Sequence, residues 1–520
     1  MFSLSRRTLI RSAAALALAS IARPVLAQSL LEKKPRFLDY PFKLGVASGD
    51  PVTDGVVLWT RLAPDPFEPL AMPAEPVIVD WAVAEDARMG KTVQTGRAIA
   101  HPEHAFAVHA EVRGLRPGRD YFYRFTVGSE ESPIGRTRTA PLPNIALDRF
   151  RFAFASCQQY EMGYFAAYRD MAAQAPDLVV HLGDYIYEQP WTSGVRRHPW
   201  TEAVDLAGYR AYHALYKLDP DLQAAHAAAP WLMTWDDHEV DNDYAADQSQ
   251  NYDEQRAFLL RRAAAYKAYF EHMPLRRIAT PQGPNAQLYH QARFGDLVAF
   301  NVLDGRQYRS DQPCQLREFG GGRVVRVPEC RGIDDPSHTM FGAAQERWLF
   351  RNLARAETRW NVLAQQLLFA PFDQGTGPEP AVYTDSWGGY PAARQRLIDH
   401  IAAVRPSNPV FIGGDIHSYW VTDIKHDSAD PESETVASEF VGSSITSPLD
   451  VHAQFTAAVP RNPHVKYFEG TRRGYCLCTL TSERWQSDLR AVDDVLSPDS
   501  ATNTLKSFVI ESGRPGAVEA

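Results

Sequence analysis

The chain has 520 residues, 45% hydrophobic and 22% charged, with a formal net charge of −9. That is ordinary globular composition on a chain too long for one core, so two or three domains are expected. The acidic balance argues against a general nucleic-acid binder, which carries a basic face, and five cysteines are too few for a disulfide scaffold.

The first segment reads as a targeting signal. Ser5-Arg6-Arg7-Thr8-Leu9-Ile10-Arg11 precedes an apolar run from Ala13 to Ala22, and Arg23-Pro24-Val25-Leu26-Ala27 follows. A charged start, a short apolar stretch and a small-residue cleavage point describe a signal peptide over residues 1–27. The paired arginines match the twin-arginine class, so the export machinery for folded proteins is the expected partner. The apolar run is too short to span a bilayer, and no later stretch is long enough either. The mature chain is therefore expected to be soluble, periplasmic or secreted, with any cofactor loaded before transport.

Residues 37–143 are strand-like and turn-rich. Gly45 to Asp50, Gly55 to Leu62, Pro76 to Val83, His104 to Val112 and Asp120 to Val127 are short apolar runs at regular spacing, the pattern of a small β-sandwich. The turn Gly114-Leu115-Arg116-Pro117-Gly118 followed by Tyr121-Phe122-Tyr123-Arg124 resembles the later strands of a fibronectin type III domain. Pro141-Leu142-Pro143 reads as a linker.

From residue 148 to about 500, strands alternate with helical segments, an α/β pattern expected to fold as layered sheets with helices outside. Residues 501–520 read as a polar tail. Cys314 and Cys330 flank a segment containing Phe319-Gly320-Gly321-Gly322 and can pair in an oxidising compartment. Cys476 and Cys478 alternate on one strand and share a face. His198, His213, His226, His272, His290 and His400 lack a motif and read as surface or helix residues. Arg196 and Arg197, beside Trp191 and Trp200, read as a solvated loop rather than a substrate rim.

Four strands in this region end in polar clusters. Phe154-Ala155-Ser156-Cys157-Gln158 ends in a thiol. Val179-Val180-His181-Leu182-Gly183-Asp184 ends in a carboxylate, with Tyr187 three residues on. Thr234-Trp235 runs into Asp236-Asp237-His238-Glu239-Val240-Asp241-Asn242-Asp243, and Gly413-Gly414 into Asp415-Ile416-His417. Singly, each has a structural explanation: a buried thiol, a capping Asp, a solvated acidic loop, a core His. Together they describe a metal centre, because open α/β sheets place binding sites at the carboxyl ends of strands. A carboxylate and a phenolate at one point suit a hard, highly charged cation such as Fe3+.

The order and spacing of these motifs, with Asp385-Ser386-Trp387, resemble the calcineurin-like metallophosphoesterases, and within them the PhoD-type alkaline phosphatase/phosphodiesterase family. The resemblance takes in the signal, the β-domain and nearly all of the mature chain. It implies a metallophosphoesterase four-layer sandwich behind the fibronectin-like domain, acting on small phosphate esters. It also implies Fe3+ held by Cys157, Tyr187 and His417, Asp184 bridging to a second metal, and Ca2+ held by Asn242, Asp385 and Asp415. Asp237 holds the place where the wider superfamily has Asn, so Asp237 and Asn242 are both candidate ligands. His238 resembles the outer His that contacts phosphate.

Such a metal pair lowers the pKa of bound water, giving a hydroxide that attacks phosphorus in line. His238 then neutralises developing charge or protonates the leaving alkoxide. Carboxylate and amide donors at the second site suit Ca2+. Two other readings stand beside this one. The same pair can serve a phosphodiesterase, including a phospholipase D-like one, or the chain is a non-catalytic wall-binding protein on a degenerate scaffold. The presence of every expected ligand type counts against the last.

Overall fold

The computed structural model describes residues 36–191 and 194–520; the signal segment at residues 1–27 lies outside the described residues. Two large sheets face each other. The first has ten strands in the order Arg514–Glu519, Thr502–Glu511, Arg484–Val492, Gly474–Leu480, Phe150–Ala155, Leu178–His181, Pro230–Met233, Val46–Val52, Gly55–Arg61 and Ala107–Arg113. The second has seven, with Val298–Val302, Trp360–Ala364, Pro409–Gly413 and Thr435–Val441 running parallel at its centre.

The central strands are buried on both faces, which is why they read as continuous apolar runs. Side chains alternate across the sheet. Phe152, Phe154, Val180 and Leu232 point into the layer shared with Phe300, Val362, Val410 and Val421 of the second sheet. Their neighbours Ala153, Ala155, Val179, Trp231 and Met233 point the other way, against Tyr168, Met171, Tyr209, Tyr212, Tyr266 and Tyr269 of three outer helices. On the far side, Leu349 and Leu353 of the helix Gly342–Ala354, with Leu397 and Ile401 of Pro391–Val404, cover Leu363 and Phe411.

Register places the strand ends level. Ala155 lies opposite His181, and His181 opposite Met233. In the second sheet Val302, Ala364, Ile412 and Phe440 are abreast. Whatever follows these residues therefore meets at one edge of both sheets.

The structure departs from the sequence reading in three places. Residues 501–520 are two strands of the ten-stranded sheet, not a tail; their polar residues alternate with Phe508, Ile510 and Ala517, which enter the core between the sheets. A one-faced alternation weakened by glycines is faint in the sequence. The residues 37–143 form two β layers around Val46, Val56, Leu58, Val79, Val108, Tyr123 and Phe125, but one layer is continuous with the large sheet, because Val46–Val52 pairs in parallel with Pro230–Met233. His213, His226 and His272 lie on helices yet are buried, at 0%, 2% and 0% exposure. They stack instead of facing water: His213 on His272, and His226 on Trp231. Among the described residues, no helix is long and apolar enough to cross a membrane.

Because Ile510 is 1% exposed inside the inter-sheet core, Ile510→Ala is expected to cost about 2–5 kcal/mol. Chemical denaturation reads this as a lowered midpoint; a midpoint equal to wild type would return residues 501–520 to a dispensable tail.

Candidate metal centre

At the level edge the chain turns sharply at each strand end. Cys157, Asp184, Asp243, Asp415 and His417 all have left-handed backbones, with φ of 59°, 54°, 53°, 64° and 52°. None is glycine, so each costs on the order of 1–2 kcal/mol, a strain that clusters at functional sites. Hydrogen bonds between neighbouring strand ends hold the turns. The Cys157 N–H donates to the Gly183 carbonyl and Gln158 N–H to that of Asp184, both at 3.1 Å.

Glu239 ties the next pair of strand ends together. It is wholly buried, and its carboxylate accepts the backbone N–H groups of Asp184 (3.1 Å), Tyr185 and Asp236 (2.7 Å). Gly183 lies so close to this junction, at φ 108°, that a Cβ there would sit 2.4 Å from the Asp236 nitrogen.

Two groups of donors result. In the first, Cys157, Asp184 and His417 present ligand atoms within 4.8 Å of one another. The Tyr187 hydroxyl donates to Asp184 Oδ2 at 2.9 Å and lies 3.2 Å from His417 Nε2 and 2.7 Å from Ser447 Oγ. His417 Nδ1 is 2.8 Å from the Pro448 carbonyl; a carbonyl only accepts, so Nδ1 carries the proton and Nε2 faces Tyr187 with a free lone pair. Burial holds this imidazole neutral, its pKa pushed down to about 3. Burial and the Asp184 charge push the Cys157 thiol well up, so the thiol keeps its proton until a cation replaces it.

The second group is carboxylate-rich. Asp236, Asp237 and Asp415 are mutually within 4.8 Å, as are Asp237, Asp243 and Asp385. Arg306, at 0% exposure, reaches into the middle of them. Its guanidinium contacts Asp236, donates to Asp385 Oδ2 at 2.7 Å and to Asp415 Oδ1 at 3.3 Å, and lies 3.6 Å from Asp237. Arg309 adds a second contact to Asp385 at 2.8 Å. Burial raises Asp236 and Asp243 to about 7 and Asp415 well above its ordinary value. Burial also raises Asp237, but Arg306 and His238 overcome that and hold it below its ordinary range.

These groups fit cations. Six carboxylates (Asp184, Asp236, Asp237, Asp243, Asp385, Asp415) face two guanidinium groups, and Asp184 Oδ1 is buried with no hydrogen-bond partner. Raised carboxyl pKa values and an orphaned oxygen mark missing positive charge.

His238 sits between the groups. Its Nδ1 is 2.7 Å from Glu188 Oε2, and its ring stacks on Tyr187 at 4.1 Å. Burial opposes its charging, but Glu188, Asp184 and Asp237 raise its pKa well above the ordinary value. Trp191 stands edge-on to both rings, at 5.7 and 6.5 Å. Arg196 of the same loop is not solvated: it pairs with Asp219 at 2.6 Å and lies 3.9 Å over Tyr160.

Of the residues singled out from the sequence, Cys157, Asp184, Tyr187, Asp237, His238, Asp385, Asp415 and His417 come together here. Asn242 lies in the same turn, where its backbone N–H donates to Glu188 Oε1 at 3.3 Å; the carboxylate from that turn that joins Asp237 and Asp385 is Asp243. The sequence reading did not reach Arg306, and it gave no role to Glu188, Glu239 or Asp243 although they lie in the polar clusters. Arg306 had a signal, since Val302-Leu303-Asp304-Gly305-Arg306 is one more strand running into charge.

Replacing Glu239 by Gln sets an amide N–H against backbone N–H donors. Glu239→Gln is expected to destabilise the protein by about 1–3 kcal/mol and to weaken retention of whatever Asp184 binds, measured by thermal melting and metal analysis after dialysis. A variant with wild-type stability and metal content would deny Glu239 its role in holding these turns.

Comparison with known proteins assigns the chain to a family. Residues 152–489 match the PhoD-like phosphatase family, and residues 27–141 match the PhoD-like phosphatase N-terminal domain. Alkaline phosphatase D of Bacillus subtilis (strain 168) is 45% identical over 524 aligned residues, covering 98% of this chain and 88% of that protein. A solved structure described as that of PhoD superposes with a TM-score of 0.89 at 45% identity, over 94% of this chain and 93% of that one. This chain therefore belongs to the PhoD-like phosphatase family.

Proposed function

We propose that the chain is an exported, metal-dependent alkaline phosphatase that hydrolyses phosphate monoesters and, at the same centre, diesters. One observation carries the reading: a thiol, a phenol, an imidazole and a carboxylate from strand ends of two sheets converge at Cys157, Tyr187, His417 and Asp184. The 45% identity to alkaline phosphatase D supports it. The helix–sheet–sheet–helix order is consistent with the four-layer metallophosphoesterase sandwich, and the two β layers of residues 37–143 with a fibronectin type III-like domain. The Cys314–Cys330 disulfide suits an oxidising compartment of the kind to which twin-arginine export delivers its cargo.

In this reading Cys157, Tyr187 and His417 would hold Fe3+, Asp184 would be a ligand shared with the second cation, and Asp385, Asp415 and either Asp237 or Asn242 would offer oxygen donors to Ca2+. Asp237 is the better supported of that pair, since its carboxylate takes part in three of the close donor groups. Bound there, the cations supply Lewis acidity and an activated water. The protein's own residues do the rest. Glu188 orients His238 and, with Asp184 and Asp237, keeps it protonated beside the reacting ester, where it neutralises a phosphoryl oxygen or delivers its proton to the leaving alkoxide. The Pro448 carbonyl keeps His417 in its ligating tautomer. Trp191 covers the Tyr187–His238 pair on one side.

Purified protein is expected to contain iron and to absorb in the visible through a tyrosinate–iron band; a colourless, iron-free and fully active preparation would remove Cys157 and Tyr187 from the centre. Asp184→Asn should abolish turnover with the fold intact by circular dichroism, and retained activity would exclude the bridging role. His238→Ala should lower kcat by roughly a hundredfold or more. Parallel rates on a nitrophenyl monoester and a bis-nitrophenyl diester measure which ester is preferred.

A further inference from the structure

The loop closed by Cys314–Cys330 lies directly on the carboxylate group. On the way in, Gln312 donates its side-chain amide to Asp385 Oδ1 at 2.6 Å and to the Asp243 carbonyl at 2.7 Å. The chain then passes through Cys314, and its three consecutive glycines come back against the same two residues. The Gly320 N–H donates to the Gln250 carbonyl at 2.7 Å, and the Gly322 N–H donates to Asp243 Oδ2, also at 2.7 Å. The Tyr383 hydroxyl donates to that oxygen from the other side at 2.9 Å.

The glycines are there for space. A Cβ on Gly322 would lie 2.3 Å from the Tyr383 ring and 2.6 Å from Asp385 Cβ, and one on Gly321, at φ 76°, would lie 2.9 Å from Asp243 Cβ. After them, Val324–Arg326 pairs with Ala381–Tyr383, the strand that delivers Asp385. Val325, Cys330 and Ile333, with Cys314 and Val382, form a small apolar cluster around the disulfide. Three glycines in a row are the most costly sequence to order; a covalent closure of the loop removes much of that freedom.

We propose that the disulfide-closed loop is a positioning device for the second cation: Cys314–Cys330 holds Gly320–Gly322 against Asp243 and fixes that carboxylate beside Asp237 and Asp385. The inference rests on the reading that this carboxylate group binds a cation. Asp243 is then a further member of the group, kept in place by Gly322 and Tyr383 rather than by its own turn alone. Residues of this kind, which orient ligands without reacting, set metal affinity.

The test follows Ca2+-dependent thermal stabilisation of the iron-loaded protein, with the visible absorption band as an internal control for the Cys157–Tyr187 half. The Cys314→Ala/Cys330→Ala double variant is expected to need roughly tenfold more Ca2+ for half-maximal stabilisation, with the band unchanged. Gly322→Ala, with the disulfide intact, should reproduce that shift by pushing the segment off Asp243. Wild-type half-saturation in both variants would overturn the proposal. So would a double variant that melts lower without Ca2+ but binds it normally, since the loop would then be only a brace. If the wild-type protein itself shows no Ca2+-dependent rise, the carboxylate group is not a Ca2+ site, and the proposal falls with that reading.

Discussion

One buried guanidinium makes the centre possible. Arg306 reaches Asp236 from the first sheet, Asp415 from the second and Asp385 from the end of the short strand Ala381–Tyr383 that pairs with Val324–Arg326, so it joins strand ends that carry the same charge. Two carboxylates about 4 Å apart repel by roughly 4 kcal/mol at the effective dielectric near a protein surface, and here they lie in a buried site. One cation among them offsets part of that repulsion but leaves several negative charges uncompensated. The fold can therefore gather these side chains before metal arrives and still leave them a strong drive to bind it.

The same edge is also held by side chains that hydrogen-bond to backbone groups. Glu239 spends its carboxylate on three backbone N–H groups, and Gln366 donates to Thr234 Oγ1 and to the carbonyls of Trp235 and Leu303. These contacts cross between strands, so strained left-handed residues at Cys157, Asp184 and Asp415 are over-determined by their surroundings. Rigidity of this kind is what a centre needs if its donors are to stay in place while substrate comes and goes.

The two halves of the centre differ in chemical character, and the difference is built by location. Cys157, Tyr187 and His417 lie where the first sheet meets the Ser444–Pro448 loop, beside Ser447 and the guanidinium of Arg473. Asp237, Asp243 and Asp385 lie where the disulfide loop, the Arg306 turn and the acidic turn meet. Soft and phenolic donors fall on one side, and hard oxygen donors on the other. Asp184 and His238 stand between them.

Much of this was legible in the sequence because it is local. Apolar runs that end in Cys157, Asp184, Asp236 and Asp415 announce strands and their ends, and a strand end in an α/β fold is a place for a ligand. The sequence allowed a Cys314–Cys330 bridge in an oxidising compartment without fixing it; the folded chain forms it. What could not be read was everything set by contact between distant segments. Arg306 among the carboxylates, Asp243 rather than its neighbour as the carboxylate beside Asp385, and Glu239 as a clamp all depend on which strand ends lie abreast, which register decides. The final strands were missed because their alternation faces a core supplied by other strands. The residue types at the centre were determined by the sequence alone; their partners, protonation and strain were decided only when tertiary packing removed water and placed like charges side by side.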